Sequence, residues 1–269
     1  MLSCDTGNLT VVADLPKALK EASGIETTTK SDLIWMLNDG GNPPKLYGIN
    51  TKGNIKKELD INAKNNDWED LTTDDEGNLY IGDFGNNANK RKNLVILKVS
   101  HSDLKNKKNI TAERITFEYE NQKKFSPKKE KMHFDCEAFL HYNDSLFLFT
   151  KSRANKDFGK TNLYKIPAKK GHHKAQLISS FNTCDEAGCW ITSVDINDDT
   201  NKIALLTENS VFIFSDFKKN DFFNGKVKRF PFNYNSQKES VCFKNDSTLY
   251  ITDERTGPKG GNLYEFSLD

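Results

Sequence analysis

Apolar and polar positions recur along this chain in a fixed phrase. An acidic or small polar residue opens a short apolar run, a turn follows, and a strand of the form Leu-Tyr-Ile then ends in Asp, Glu or Lys. After a polar loop comes another strand, of the form Asn-Leu-Tyr-x-Ile. Clear copies begin at Trp68-Glu69-Asp70-Leu71, Cys136-Glu137-Ala138-Phe139 and Lys238-Glu239-Ser240-Val241. Weaker copies begin at Ser23-Gly24-Ile25 and Thr192-Ser193-Val194. Period-two alternation marks the outer strands, whereas the second strands are almost wholly apolar, as strands covered on both faces are. Units of roughly forty to seventy residues with only strand signals inside predict an all-β chain folded as a single β-propeller.

Most units predict four strands. In the second unit these are Glu69–Thr72, Leu79–Asp83, Leu94–Leu97 and Arg114–Tyr119, with Asp75-Glu76-Gly77-Asn78 as the first turn. The last unit stops after three, at Leu263–Phe266, while an orphan strand, Leu9–Ala13, precedes the first. Pairing the orphan with the incomplete unit closes the ring and removes an exposed edge. The expectation is five four-stranded blades, the N-terminal strand closing the last. Six blades are the alternative, with the extra unit inside Lys98–Phe134. Residues 9–269 then form the propeller domain, and residues 1–8 a remnant and linker.

Charge narrows the function. The chain carries 39 Lys+Arg against 38 Asp+Glu, a balance that argues against a general polyanion binder and leaves no nucleic-acid partner expected. The Lys-rich stretches Lys105–Lys108 and Lys123–Lys131 read as solvated loop faces. No apolar run reaches the ~20 residues a membrane helix needs. Met1-Leu2-Ser3-Cys4-Asp5 reads as the end of a truncated lipoprotein signal, with a lipid expected on Cys4 and membrane contact only through that anchor. The alternative is a plain N-terminal thiol. The spacing of Cys184 and Cys189 permits a disulfide in an oxidising compartment. A zinc half-site is the rival, but no second Cys/His pair has ligand spacing. Cys136 and Cys242, in apolar opening strands, read as buried thiols.

Because the chain runs down the first strand of a blade and back along the second, first-strand starts and second-strand ends meet at one mouth of the central channel. The starts supply Ser23, Glu69, Glu137, Thr192 and Glu239, with Asp67, Asp70 and Asp135 beside them. The ends supply Asp39, Asp83, Lys151, Glu208 and Asp253, and the loops that follow add Arg153 and Arg255. Several carboxylates around a funnel are hard oxygen ligands suited to Ca²⁺ or Mg²⁺, with Glu69, Asp83, Glu137 and Glu239 as the metal candidates. The competing reading satisfies each carboxylate with backbone N–H groups of a neighbouring blade, or with Lys151, Arg153 or Arg255. Neither a nucleophile elbow nor an H-E-x-x-H pair is present.

Two function classes follow. One is a binding or scaffold protein that presents the loop-walled acidic mouth to a glycan, peptide or protein partner, using Phe84, Phe158 and the Asn-rich loops. The other is a Ca²⁺-dependent hydrolase of lactonase or phosphoesterase type.

The stretch Asp67-Trp-Glu-Asp-Leu71, followed by Tyr80-Ile-Gly-Asp-Phe-Gly-Asn-Asn87, resembles a family of uncharacterised exported bacterial β-propeller proteins. That family carries D-W-E-D and G-D-[IF]-G-[DN]-N phrases, then D-x-E-A, T-K and T-x-x-D phrases. The later matches here are Asp135-Cys-Glu-Ala138, Thr150-Lys151 and Thr192-Ser-Val-Asp195. Ser23-Gly24-Ile25 and Glu239-Ser240-Val241 also resemble the repeat phrase of SdiA-regulated propellers. The resemblance implies a propeller fold and a place in the bacterial cell envelope, lipid-anchored or secreted, and it brings no activity with it.

Overall fold

A computed structural model describes residues 6–154, 157–184, 188–257 and 259–269. The lipidation expected at Cys4 lies outside the described residues. Among those described, the regular elements are nearly all strands. Strand β1 (Thr10–Asp14) comes first. A meander of β2 (Ala22–Thr28), β3 (Ser31–Asn38), β4 (Lys45–Ile49) and β5 (Ile55–Ile61) follows. The next unit holds β6 (Trp68–Thr73), β7 (Leu79–Asp83), β8 (Leu94–Val99), the short helix α1 (His101–Asn106), β9 (Asn109–Ile110) and β10 (Glu113–Tyr119).

Three further meanders complete the chain. The first is β11 (Asp135–Tyr142), β12 (Ser145–Lys151), β13 (Lys160–Pro167) and β14 (Gly171–Asn182). The second is β15 (Ile191–Asn197), β16 (Lys202–Thr207), β17 (Ser210–Ser215) and β18 (Lys226–Pro231). The third is β19 (Lys238–Asn245), β20 (Thr248–Asp253) and β21 (Asn262–Ser267).

The orphan strand goes where the pattern sends it: β1 pairs antiparallel with β21, Thr10 opposite Glu265 and Asp14 opposite Asn262. Arg255 secures this junction, donating to Asp14 Oδ1 and to the Leu15 carbonyl. Lys98–Phe134 does not hold another four-strand meander. It contains the end of β8, then α1, β9 and β10, and β9 adds to the edge of β5 in parallel. A second link was not legible in the sequence. The outer strands β10 and β14 pair in parallel, which joins two meanders into one eight-stranded sheet.

The innermost strands pack on one another in a closed cycle: β2 on β6, β6 on β11, β11 on β15, β15 on β19, and β19 back on β2. Between each adjacent pair of meanders lies a hydrophobic cluster. One joins Tyr80, Phe84 and Phe117 to Phe139, Leu148 and Tyr164, and another joins Trp35 and Leu46 to Trp68, Ile81 and Leu97. The almost wholly apolar second strands supply these clusters because both of their faces are covered. Closed packing of radially arranged four-strand meanders is the β-propeller architecture.

Each innermost strand begins with an irregularity. Pairing with the second strand shifts register between Ala22 and Gly24, Trp68 and Leu71, Cys136 and Ala138, Ile191 and Ser193, and Lys238 and Ser240. The residues skipped are Ser23, Glu69 with Asp70, Glu137, Thr192 and Glu239, the recurring polar positions of the sequence. A bulge re-aims the extra side chain, and here it frees these residues from the alternation that would bury them between sheets. At the axis below them Asp70 is fully buried. Its carboxylate accepts from its neighbour Leu71 N, from Phe139 N, and from Ser193 Oγ and Val194 N, binding β6 to β11 and β15.

Cys184 and Cys189 are joined in a disulfide, with Cα atoms 5.7 Å apart. Cys136 and Cys242 are buried free thiols. Phe84, expected at a loop tip, is instead fully buried and packs edge-to-face on Phe139 at 5.1 Å. Gly82 makes room for it, since a Cβ there would overlap the Phe84 ring.

Candidate functional site

At the mouth where the bulges lie, a cavity of about 240 Å³ is lined by Ser23, Asp39, Glu69, Glu137, Lys151, Arg153 and Glu239, with Asn87, Gln237 and Glu254 completing the wall. Six of the ten charged residues nominated from strand starts, strand ends and the loops that follow therefore meet: Asp39, Glu69, Glu137, Lys151, Arg153 and Glu239. The other four do not line it. Asp83 is buried and ion-paired to Arg91 at 2.7 Å, and it also accepts from Asn66 Nδ2. Asp253 is buried and accepts from Tyr264 Oη and from the Asn262 N–H. Arg255 faces β1, as described above. At Glu208 it is the backbone carbonyl that is engaged, by Lys238 Nζ at 3.0 Å.

The lining divides into paired and unpaired carboxylates. Glu137 is 5 % exposed, and it accepts from Lys151 Nζ at 3.1 Å and Arg153 at 3.2 Å. Asp135, fully buried beneath it, takes Arg153 Nε at 2.6 Å and the Asn86 N–H at 2.6 Å. Arg153 also reaches Asn87. These contacts are the structural locks that the competing reading anticipated. Asp39, Asp67 and Glu69 differ. They place one carboxylate oxygen each within 4.8 Å of one another. Among the described residues the Asp39 carboxylate accepts only its neighbour's Gly40 N–H, and the carboxylates of Asp67 and Glu69 have no hydrogen-bond donor or ion-pair partner.

Two glycines permit this crowding. A Cβ on Gly85 would overlap the Glu69 carboxylate and press on that of Asp67, and one on Gly40 would press on Asp67. The glycine in the G-D-F-G-N-N phrase is thus required by close approach of an unpaired carboxylate. Asp67 was read from the sequence only as a neighbour of the mouth. Asn87 closes the G-D-F-G-N-N phrase but was not nominated for the site, and Glu254 and Gln237 carried no signal, because loop residues outside the repeat phrase are placed by tertiary structure alone.

Titration reflects the surplus of negative charge. Burial raises Glu69 well above the ordinary carboxylate range, and Glu137, Asp39 and Asp67 add repulsion. Burial and Asp39 lift Asp67 to about 6. Glu239 rises to about 7 through burial, against the pull of Lys151, and Glu254 to about 8 through burial and the charge on Glu239. Burial also opposes the charge on Lys151, but Glu137 carries its pKa upward, so it stays an ammonium. The donor set is all carboxylate with neutral amides nearby, which fits a hard divalent cation and suits neither zinc nor copper. Beside the cavity the Trp190 ring lies 5.5 Å from Lys151 Nζ and meets the half-exposed Phe158 edge-to-face. Trp190 stands outside every repeat phrase and was not foreseen.

At the other end of the same strands a second cavity, of about 220 Å³, is lined by Glu26, Asp74, Asp195 and Asp198 among others. Burial and the charge on Asp195 push Glu26 upward, and burial takes Asp195 to about 7. Both carboxylates accept backbone N–H groups, from Thr27 and Phe243 respectively.

No family model matches the chain, and no curated protein matches it in sequence. Solved structures do match in fold. A gluconolactonase from Xanthomonas campestris superposes with a TM-score of 0.50 at 10% identity, covering 93% of this chain and 73% of its own. A protein assigned as a gluconolactonase gives a TM-score of 0.52 at 10% identity, with 94% and 76% covered. A virginiamycin B lyase from Staphylococcus aureus gives 0.44 at 14% identity, with 95% and 69% covered. At such identities the likeness establishes the propeller fold and nothing finer.

Proposed function

We propose that this is an exported five-bladed propeller whose channel mouth binds a divalent cation, Ca²⁺ by donor chemistry, and acts with it as a hydrolase of lactonase or phosphoesterase type. The blade count is supported by the cycle of five innermost strands and by the β1–β21 pairing. Export, in the cell envelope or beyond it, is supported by the Cys184–Cys189 disulfide. A lipid on Cys4 would make the anchor. No helix among the described residues is long and apolar enough to cross a membrane.

The observation that carries the proposal is the trio Asp39, Asp67 and Glu69, converging within 4.8 Å with none of the three in an ion pair among the described residues. Holding such charges together unpaired is costly, and a cation removes the cost. Asp39, Asp67 and Glu69 would hold the ion, with Glu239 at the cavity wall. Bound there, a divalent cation polarises a carbonyl or phosphoryl oxygen and lowers the pKa of water. The chain supplies the rest. Glu239 and Glu254, raised to about 7 and about 8 in the cation-free cavity, would be the groups that accept and return a proton. Lys151 and Arg153 set fixed positive charge at the same cavity, where an oxyanion would develop.

The second reading, a binding or scaffold protein for a glycan, peptide or protein partner, is favoured by the Phe158–Trp190 pair beside the mouth. A panel of lactones and phosphoesters assayed with and without chelator separates the two. Turnover that is lost with chelator and restored by Ca²⁺ is expected; a cation-loaded protein that turns over none of them leaves the binding reading.

A further inference from the structure

The segment joining β10 to β11 carries a feature that the mouth does not use. Asn121, Lys123, Lys124, Lys128, Lys131 and His133, with Pro127 and Phe134, line a groove of about 490 Å³; no carboxylate lines it, and the carboxylate of Asp157 lies 3.8 Å from His133 Nε2. The expectation of a plain solvated loop does not account for its construction. Its backbone is pinned: Gln122 Nε2 donates to the Asn89 carbonyl, Ser126 Oγ to the Ala88 carbonyl, and Arg153 N–H to the Met132 carbonyl. Asn121 accepts from Tyr164 Oη.

The lysine ammonium groups are left without acid partners. None of Lys123, Lys124, Lys128, Lys129 and Lys131 forms an ion pair among the described residues, and Lys123 Nζ donates only to the Glu120 carbonyl. Lys92, over the Phe125 ring at 4.8 Å, extends the basic surface. The chain as a whole is balanced, so this charge has been segregated from the acids that line the channel ends. A pinned groove whose polar lining is lysine, asparagine and histidine, with no carboxylate in the wall, is complementary to an anion that accepts from them.

We propose that this groove binds a compact oligoanion carrying two or three phosphate groups. A long polyanion is disfavoured by its setting. The basic surface is confined to this one loop and Lys92 beside it, in a chain that carries 39 Lys+Arg against 38 Asp+Glu, which offers a long chain no track of positive charge beyond it. The site is independent of the cation at the mouth, so its test uses chelator-treated protein.

Inorganic tripolyphosphate is titrated calorimetrically into the full chain at low salt. Binding is expected, weakening several-fold at physiological salt and at least ten-fold in the Lys124→Glu/Lys128→Glu double variant. Lys124→Ala/Lys131→Ala should show a smaller loss in the same direction; unchanged melting in each lysine variant confirms the fold. Three results overturn the proposal: no binding heat, an affinity indifferent to both lysine pairs, or tighter binding of a single-stranded oligonucleotide with the same number of phosphates.

Discussion

Replacing Glu69 by Gln should make the cation-free protein more stable, the reverse of what a structural carboxylate would do. Glu69 gives no hydrogen bond or ion pair to lose, and it faces Asp39 and Asp67 within 4.8 Å. At that distance, with an effective dielectric of about 20, each fully charged pair costs about 3.5 kcal/mol. Partial protonation caps the total, since the group takes up a proton once repulsion exceeds the cost of doing so. A gain of about 2–4 kcal/mol at pH 8 is therefore expected, or roughly 5–10 °C in Tm for a chain of this size. The same change removes a ligand, so the rise in Tm that Ca²⁺ gives the parent, about 2.7 kcal/mol at one hundred times its Kd, should disappear. Differential scanning calorimetry with chelator and with millimolar Ca²⁺ reads both effects. A variant that melts lower than the parent in chelator, or one that keeps the full Ca²⁺ shift, would refute the reasoning.

Further outcomes are expected. Between about pH 4.5 and 8 the folded mouth holds protons that the unfolded chain has lost, because Asp67, Glu239 and Glu254 titrate at about 6, 7 and 8. Stability in chelator should then fall as pH rises through this window, while Ca²⁺ affinity rises with release of protons; a flat profile in both would contradict the assignment. Asp70→Ala leaves three β11 and β15 donors unsatisfied and should cost about 3–5 kcal/mol in a denaturant titration. Deleting residues through Asp14 bares the edge of β21 and should lower Tm and promote aggregation by light scattering; a truncated chain that melts like the parent would break the closure. Breaking the Cys184–Cys189 bridge, a short loop, should cost about 2 kcal/mol or less, and mass spectrometry of unreduced peptides should find Cys136 and Cys242 free.

The fold was largely legible because the physics that sets it is periodic. Apolar second strands such as Leu79-Tyr80-Ile81 record burial on both faces, and the surplus strand Thr10–Asp14 announced its partner by the lack of one in the last unit. The parallel link between β10 and β14 was invisible, since exposed outer strands carry little constraint on what lies beside them. At the site, Glu69, Glu137 and Glu239 were found because they recur, and the recurring bulge explains why. Recurrence misled at Asp83 and Asp253, which occupy equivalent strand ends yet are consumed by Arg91 and Tyr264. Asp67, Glu254 and Trp190 depend on how loops from different blades meet, and no local pattern encodes that meeting. Phe84 was misplaced because a loop phrase hid a core residue, for which Gly82 was the available clue.

The central claim is that Asp39, Asp67 and Glu69 hold a divalent cation. A crystal of the full chain soaked in Ca²⁺ at pH 8, with anomalous differences collected, tests this most directly. The account predicts a single strong peak at the mouth, with oxygens of these three carboxylates about 2.3–2.6 Å from it. An ordered mouth without a peak at saturating Ca²⁺, or with the three carboxylates turned to protein donors instead, would contradict it.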